Sequence, residues 1–139
     1  MGISHSMQKI NFEDIQTAGK SPEMYLLINT LTELEQECLI LNTVQASKEE
    51  QIINHHMYSS KRIRIIIYGR NSSDDKIYKK YDQLVKLGFS NVFIYMGGMF
   101  EWLMLQDIYG YDEFPTTMKQ LDFLKYKPPA RLNISLIEN

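Results

Sequence analysis

A chain of 139 residues, 44% apolar and 12% aromatic, is long enough to build one domain around a substantial core. Its formal net charge of −2 excludes a general basic field for nucleic acid or an anionic membrane, and no apolar run approaches the ~20 residues that a membrane span needs. The one cysteine, Cys38, excludes an intrachain disulfide framework and leaves too few thiolates for a structural zinc site, so a reducing, cytoplasmic setting is expected.

The chain opens "MGISHSM", and residues 1–8 are expected to be a disordered lead-in or a cloning remnant; His5 is set aside on that ground, and no secretory signal is expected. In "NFEDIQTAGKSPE", Asn11 is placed to cap a helix with Glu13 and Asp14 in its first turn, and Gly19 with Ser21-Pro22 is placed to end it. "MYLLINT" predicts a strand over Met24–Asn29, "TELEQEC" an acidic surface turn, and "LILNTVQ" a second β-like run. Ser47 and Glu50 have capping-box spacing ahead of Ile52, Ile53 and Met57, which predicts a helix. "RIRIIIY" is continuous in β-branched residues, the pattern of a strand buried on both faces, here Ile63–Tyr68.

After Gly69, Ser73 is the expected cap of a helix that carries Asp74 and Asp75 at its positive end. Ile77, Tyr81, Leu84 and Val85 share its buried face, and Gly88 stops it. "NVFIYM" is the next strand, Gly97-Gly98 break it, and "MFEWLMLQDIY" begins a further helix. "GYDEFPTT" reads as a loop, "MKQLDFLKY" as a short final helix, and residues 128–139, opened by Pro128-Pro129, as an extended tail. Strands alternating with helices predict an α/β fold in one domain over residues 9–127, with a mostly parallel central sheet flanked by helices on both faces.

The segment "IIIYG…LVKLGFSNVFIYMGGMFEW" resembles a rhodanese-like domain. Gly88, Phe89, Asn91, Val92, Gly97, Gly98 and Trp102 fall in the order of that family's "GF-x-NV" and "GG…W" landmarks. "NFEDIQ" followed by "YLLIN" is similar to the family's opening helix and the strand that ends in "DVR", and "CLILNTVQ" sits where the family has "GHIPGAINI". Together these cover most of residues 11–105. The resemblance implies a sulfurtransferase scaffold, with a reactive cysteine directly after the central strand and a loop whose backbone N–H groups converge on an anionic sulfur. Gly69 holds the cysteine position here. Asn29 and Leu31 replace the acid and arginine of "DVR", Cys38-Leu39 replaces the glycine–histidine pair, and "GRNSSDD" replaces the active loop.

Gly69, Arg70, Asn71, Ser72, Ser73, Asp74 and Asp75 are therefore read as a vestigial active-site loop. Gly69 has no nucleophile, Ser72 and Ser73 have no base assigned by any motif, and Asp74 and Asp75 oppose an anion that Arg70 favours only in part. Cys38 is the alternative centre, as a displaced persulfide carrier or redox sensor. Glu33, Glu35 and Glu37 are expected to raise its pKa, and a small buried hydrophobe is the competing role. His55 and His56 are adjacent and point to different helix faces, so no metal and no cofactor are expected. Lys79, Lys80, Lys86, Arg62 and Arg64 are interrupted by Asp74, Asp75 and Asp82, which reads as a solvated surface and not a nucleic-acid site. Trp102, with Phe100, Leu103 and Leu105, reads as core.

Tyr109, Tyr111, Asp112, Glu113 and Phe114 crowd one Gly- and Pro-bounded loop, either as a protein-binding patch or with Tyr109 and Phe114 pinning the loop to the body. The expected function is a non-catalytic binding or scaffold module, a pseudoenzyme whose partner is another protein. The alternative is a sulfurtransferase or persulfide sensor acting through Cys38.

Overall fold

The run "RIIIY" organises the molecule. In the computed structural model, which describes residues 7–132, it forms β3, Arg64–Tyr68, with Ile65, Ile66, Ile67 and Tyr68 all buried. A strand buried on both faces needs neighbours on both edges and a layer on each side. The neighbours are β2 (Tyr25–Asn29) and β4 (Val92–Tyr95), and β1 (Gln8–Ile10) adds to β4. All four strands are parallel, in the order β1-β4-β3-β2.

Because side chains alternate along a strand, Ile66 and Tyr68 point into one core and Ile65 and Ile67 into the other. The first core takes Ile15 and Ala18 of α1 (Phe12–Lys20) and Met99, Trp102 and Leu103 of α4 (Gly98–Tyr109). The second takes Ile53 of α2 (Ala46–Ser59) and Ile77, Tyr81 and Leu84 of α3 (Lys76–Lys86). The expected α/β architecture, a parallel sheet between two helical layers, is therefore what the chain adopts.

Local signals held where nothing tertiary competed. Asn11 caps α1: its side chain accepts from the N–H groups of Glu13 and Asp14 at 2.9 and 3.2 Å, and Asp14 accepts from the Asn11 N–H at 3.1 Å. Gly88 turns out of α3 with a left-handed φ of 104°. Elsewhere the fold departs from expectation. Gly19 lies inside α1, and only the Ser21-Pro22 pair stops the helix, after Lys20. The Ser47–Glu50 capping box does not form, because α2 already begins at Ala46, whose N–H donates to the Gln36 side chain at 3.0 Å.

Ser73 is not the cap of α3, which starts at Lys76 after Asp75. "LILNTVQ" makes only two isolated bridges, Leu27 to Thr43 and Ile40 to Thr116, because Asn42 takes a left-handed φ of 73° and ends the extension. Its tether is instead the buried Tyr68 hydroxyl, which accepts from the Ile40 N–H at 3.1 Å and lies 2.8 Å from the Thr43 hydroxyl. The expected final helix is reduced to a 3₁₀ turn, Phe123–Tyr126, and Gln8 belongs to the sheet, not to a lead-in.

Ile66→Ala removes a fully buried side chain from the centre of the sheet and should cost about 2–5 kcal/mol in transfer and cavity terms. Urea unfolding followed by circular dichroism measures this directly. A midpoint equal to that of the unaltered protein would contradict the two-sided burial of β3.

Candidate functional site

The C-terminal ends of β2, β3 and β4 meet at the loop that follows Tyr68, where parallel sheets place their chemistry. Gly69 opens this loop, and the Asp74 carboxylate folds back over it. One Asp74 oxygen accepts from the Thr30 hydroxyl at 3.0 Å and the Arg70 N–H at 3.1 Å; the other accepts from the Lys76 N–H, also at 3.1 Å. The side chain is buried to 9% exposure. A Cβ at position 69 would come within 2.8 Å of both the Asp74 Cγ and the Thr30 Oγ1, and would run into the Asp74 carboxylate oxygen. Asp74 was expected at the helix end as a repelling charge beside a pocket. It occupies the pocket.

The rest of the loop is equally engaged. Asn71 is buried, accepts from the Ser73 N–H at 2.8 Å and donates to the Tyr126 carbonyl at 2.7 Å. Arg70 pairs with Glu35, donates to the Lys125 carbonyl, and stacks its guanidinium 5.4 Å from the Tyr126 ring centre. The 3₁₀ turn Phe123–Tyr126 therefore roofs the loop, and Phe123 packs against Phe100 at 6.0 Å.

From below, the Gly69 and Arg70 carbonyls accept from the Met99 and Phe100 N–H groups at 3.0 and 2.8 Å. Gly98 permits this approach. Its φ is +65°, and a Cβ there would sit 2.6 Å from the Gly69 carbonyl oxygen. Ser72, Ser73 and Asp75 stay exposed. Thr30, Glu35, Lys125 and Tyr126 complete the loop's environment and carried no local signal in the sequence, since only long-range folding brings them to it.

Cys38 is buried in the first core, and its thiol donates to the Met118 carbonyl at 3.2 Å. Burial pushes its pKa up, against the hydrogen bonds to Thr116 and Met118 and, least of all, the charge of Lys125. The neighbouring acids are not the cause: Glu35 is committed to Arg70. Among the described residues, no group of three or more His, Cys, Asp or Glu could hold a metal ion. No helix among them is long and apolar enough to cross a membrane.

Tyr109, expected in the loop, is the last residue of α4 and 64% exposed; in the loop that follows, Tyr111 is 39% exposed, and Asp112 and Glu113 are exposed. Phe114 does not join them. It is 3% exposed and packs on Trp102 at 5.0 Å and Phe12 at 5.6 Å. Its carbonyl accepts from the Gln106 amide at 2.7 Å, and the Pro115 carbonyl accepts from the Trp102 indole at 3.1 Å. Phe114 is thus a core pin and drops out of the exposed patch, because the adjacent carbonyls dock on α4 and turn its ring inward.

Residues 28–105 match the rhodanese-like domain family, more than half of the chain and all of the loop just described. The chain belongs to the rhodanese-like family. The fold agrees with solved structures at low identity. The Alr3790 protein from Anabaena sp. is 16% identical with a TM-score of 0.57, over 84% of this chain and 86% of its own. The BH2092 protein from Bacillus halodurans is 18% identical with a TM-score of 0.56, over 78% and 77%. A thiosulfate sulfurtransferase from Pseudomonas aeruginosa is 12% identical with a TM-score of 0.56, over 74% of this chain but 20% of its own. No curated protein is significantly similar. These likenesses show the rhodanese fold.

Two outcomes follow from this geometry. Phe114→Ala should destabilise the protein by about 3–5 kcal/mol, read from denaturant midpoints. A surface residue would change stability by no more than a few tenths. Cys38 should react with iodoacetamide at neutral pH about tenfold or more slowly in the folded protein than in urea, as measured by intact mass. Its folded pKa lies above the unfolded one. The associated stability is therefore fully present at neutral pH and falls as pH rises past the unfolded thiol's ionisation, about 8.5, towards the folded value.

Proposed function

We propose that this rhodanese-like chain is a non-catalytic binding module, a pseudoenzyme that holds a protein partner in the cytoplasm and uses no cofactor, metal or nucleic acid. The observation that carries the reading is the Asp74 carboxylate. It takes up the Arg70 and Lys76 N–H groups and the Thr30 hydroxyl, and it fills the space beside Gly69. A sulfur-carrying loop needs free backbone donors around an anionic sulfur, and here the Asp74 carboxylate already takes those of Arg70 and Lys76. The vestigial loop Gly69–Asp75 is then a structural closure of the sheet end. The exposed Tyr109, Tyr111, Asp112 and Glu113 are the surface left for a partner.

Sulfur transfer through Cys38 is the competing reading. A buried, protonated thiol hydrogen-bonded to a carbonyl weighs against it.

The test restores the missing thiol. A Cβ at 69 must displace Asp74 or shift the loop, so Gly69→Cys should lower stability by about 1–3 kcal/mol as an overpacked site. It should show no thiosulfate:cyanide sulfurtransferase turnover above background. Turnover like that of an active rhodanese would overturn the reading of the loop. The unaltered protein, incubated with thiosulfate, should keep its intact mass; a gain of one sulfur blocked by prior alkylation would favour Cys38 as a carrier.

A further inference from the structure

A cavity of about 310 Å³ lies between α1, the turn at residues 40–42 and the segment 112–115. It is remote in sequence from the loop after β3. Its floor is apolar, formed by the core residues Ile15, Ile40 and Trp102. At its rim, Asp112 and Glu113 are set against a single cation, Lys20. Neither carboxylate makes an ion pair among the described residues, whose salt bridges are Arg70–Glu35 and Lys80–Glu49.

Gly19 is the second observation. Each of the other described glycines has a structural cause. Gly69, Gly97 and Gly98 sit where a Cβ would collide with a neighbour, and Gly88 and Gly110 have left-handed φ values. Gly19 has neither. It lies within α1 without a left-handed φ, and a Cβ there would meet nothing within 4 Å. Glycine is a poor helix residue, so the fold gains nothing from it. It lines the cavity and contributes no side chain to its wall.

We propose that this cavity is a docking pocket for one apolar side chain of a partner polypeptide, presented next to an arginine or lysine that pairs with Asp112 and Glu113. The proposal rests on the binding-module reading and gives that partner its chemistry. The volume is at the low end of small-ligand sites, about 300–1,000 Å³, and suits a single anchor side chain of the kind that dominates interface energetics. The net negative rim selects a basic neighbour and disfavours an acidic one. Tyr109 at the end of α4 and Tyr111 on the loop, both exposed, supply the amphipathic surround that interfaces favour.

Trp102 is the only tryptophan of the chain and lines the floor, so its emission reports occupancy. The probe is the peptide acetyl-Gly-Phe-Arg-Gly-amide, titrated against the full chain, with acetyl-Gly-Phe-Glu-Gly-amide as its charge-reversed control. The Arg peptide should give a saturable change in Trp102 emission with a Kd of about millimolar, as one anchor allows. The Glu peptide should bind more weakly. Asp112→Asn with Glu113→Gln should weaken the Arg peptide by about 2- to 5-fold, as exposed ion pairs do. Gly19→Phe should fill the cavity and abolish binding without lowering the melting temperature. Gly19→Ala, which leaves room, should bind like the unaltered protein and melt no lower.

Absence of a saturable change, binding retained in Gly19→Phe, or equal affinity for the two peptides would overturn the proposal. So would Trp102 emission that shifts with protein concentration alone, which would assign the pocket to a second copy. The thiosulfate test is separate. Peptide binding together with sulfur uptake would remove the non-catalytic reading and leave the pocket. No binding and no sulfur uptake would remove the pocket and leave the loop assignment.

Discussion

The hydrogen bonds of the Asp74 carboxylate are the constraint on which this end of the molecule depends. They join β2, through Thr30, to the start of the loop at Arg70 and to the first turn of α3 at Lys76. A buried carboxylate is costly unless its oxygens are satisfied, and these three donors satisfy them. The same bonds require that position 69 carry no side chain. Glycine at 69 and aspartate at 74 are therefore one feature: the carboxylate occupies the space that a side chain at 69 would need.

That closure is reinforced from above and below. The α4 N–H groups of Met99 and Phe100 are used by the loop's own carbonyls, an approach open only to glycine at 98. The turn Phe123–Tyr126 covers the loop through Arg70 and Asn71. The N–H groups of Arg70, Ser73 and Lys76 are thus directed to side chains of the loop itself, Asp74 and Asn71.

Burial favours the protonated forms of the core thiol and hydroxyls. Cys38 lies in the same core as Tyr68, Tyr95 and Trp102. Tyr68 and Tyr95 hold their protons well above the usual tyrosine range because burial disfavours the phenolate. These hydroxyls serve as structural partners, Tyr68 to the turn at 40–43 and Tyr95 to Glu101. The acidic loop meets α1 at the cavity that Trp102 lines, and Phe114 packs against Trp102 at 5.0 Å.

The sequence by itself determined the alternation of strands and helices, the two-sided burial of β3, the cap at Asn11 and the stop at Gly88. Each of these is set by neighbours a few residues apart, and period and capping chemistry act at that range. The rhodanese resemblance was legible for a related reason, since its glycines and tryptophan mark turns and packing within one segment. Only the tertiary structure decided the rest. Asp74 became a buried acceptor and not a helix-end charge because Thr30, far away in sequence, supplies a donor beside it. Phe114 turned inward because Gln106 and Trp102 hold the carbonyls around it. "LILNTVQ" turns at Asn42 in place of extending, and Tyr68 holds Ile40 and Thr43 on either side of that turn. In each case a buried polar group had to find a partner, and the partner was available only once distant parts of the chain had met.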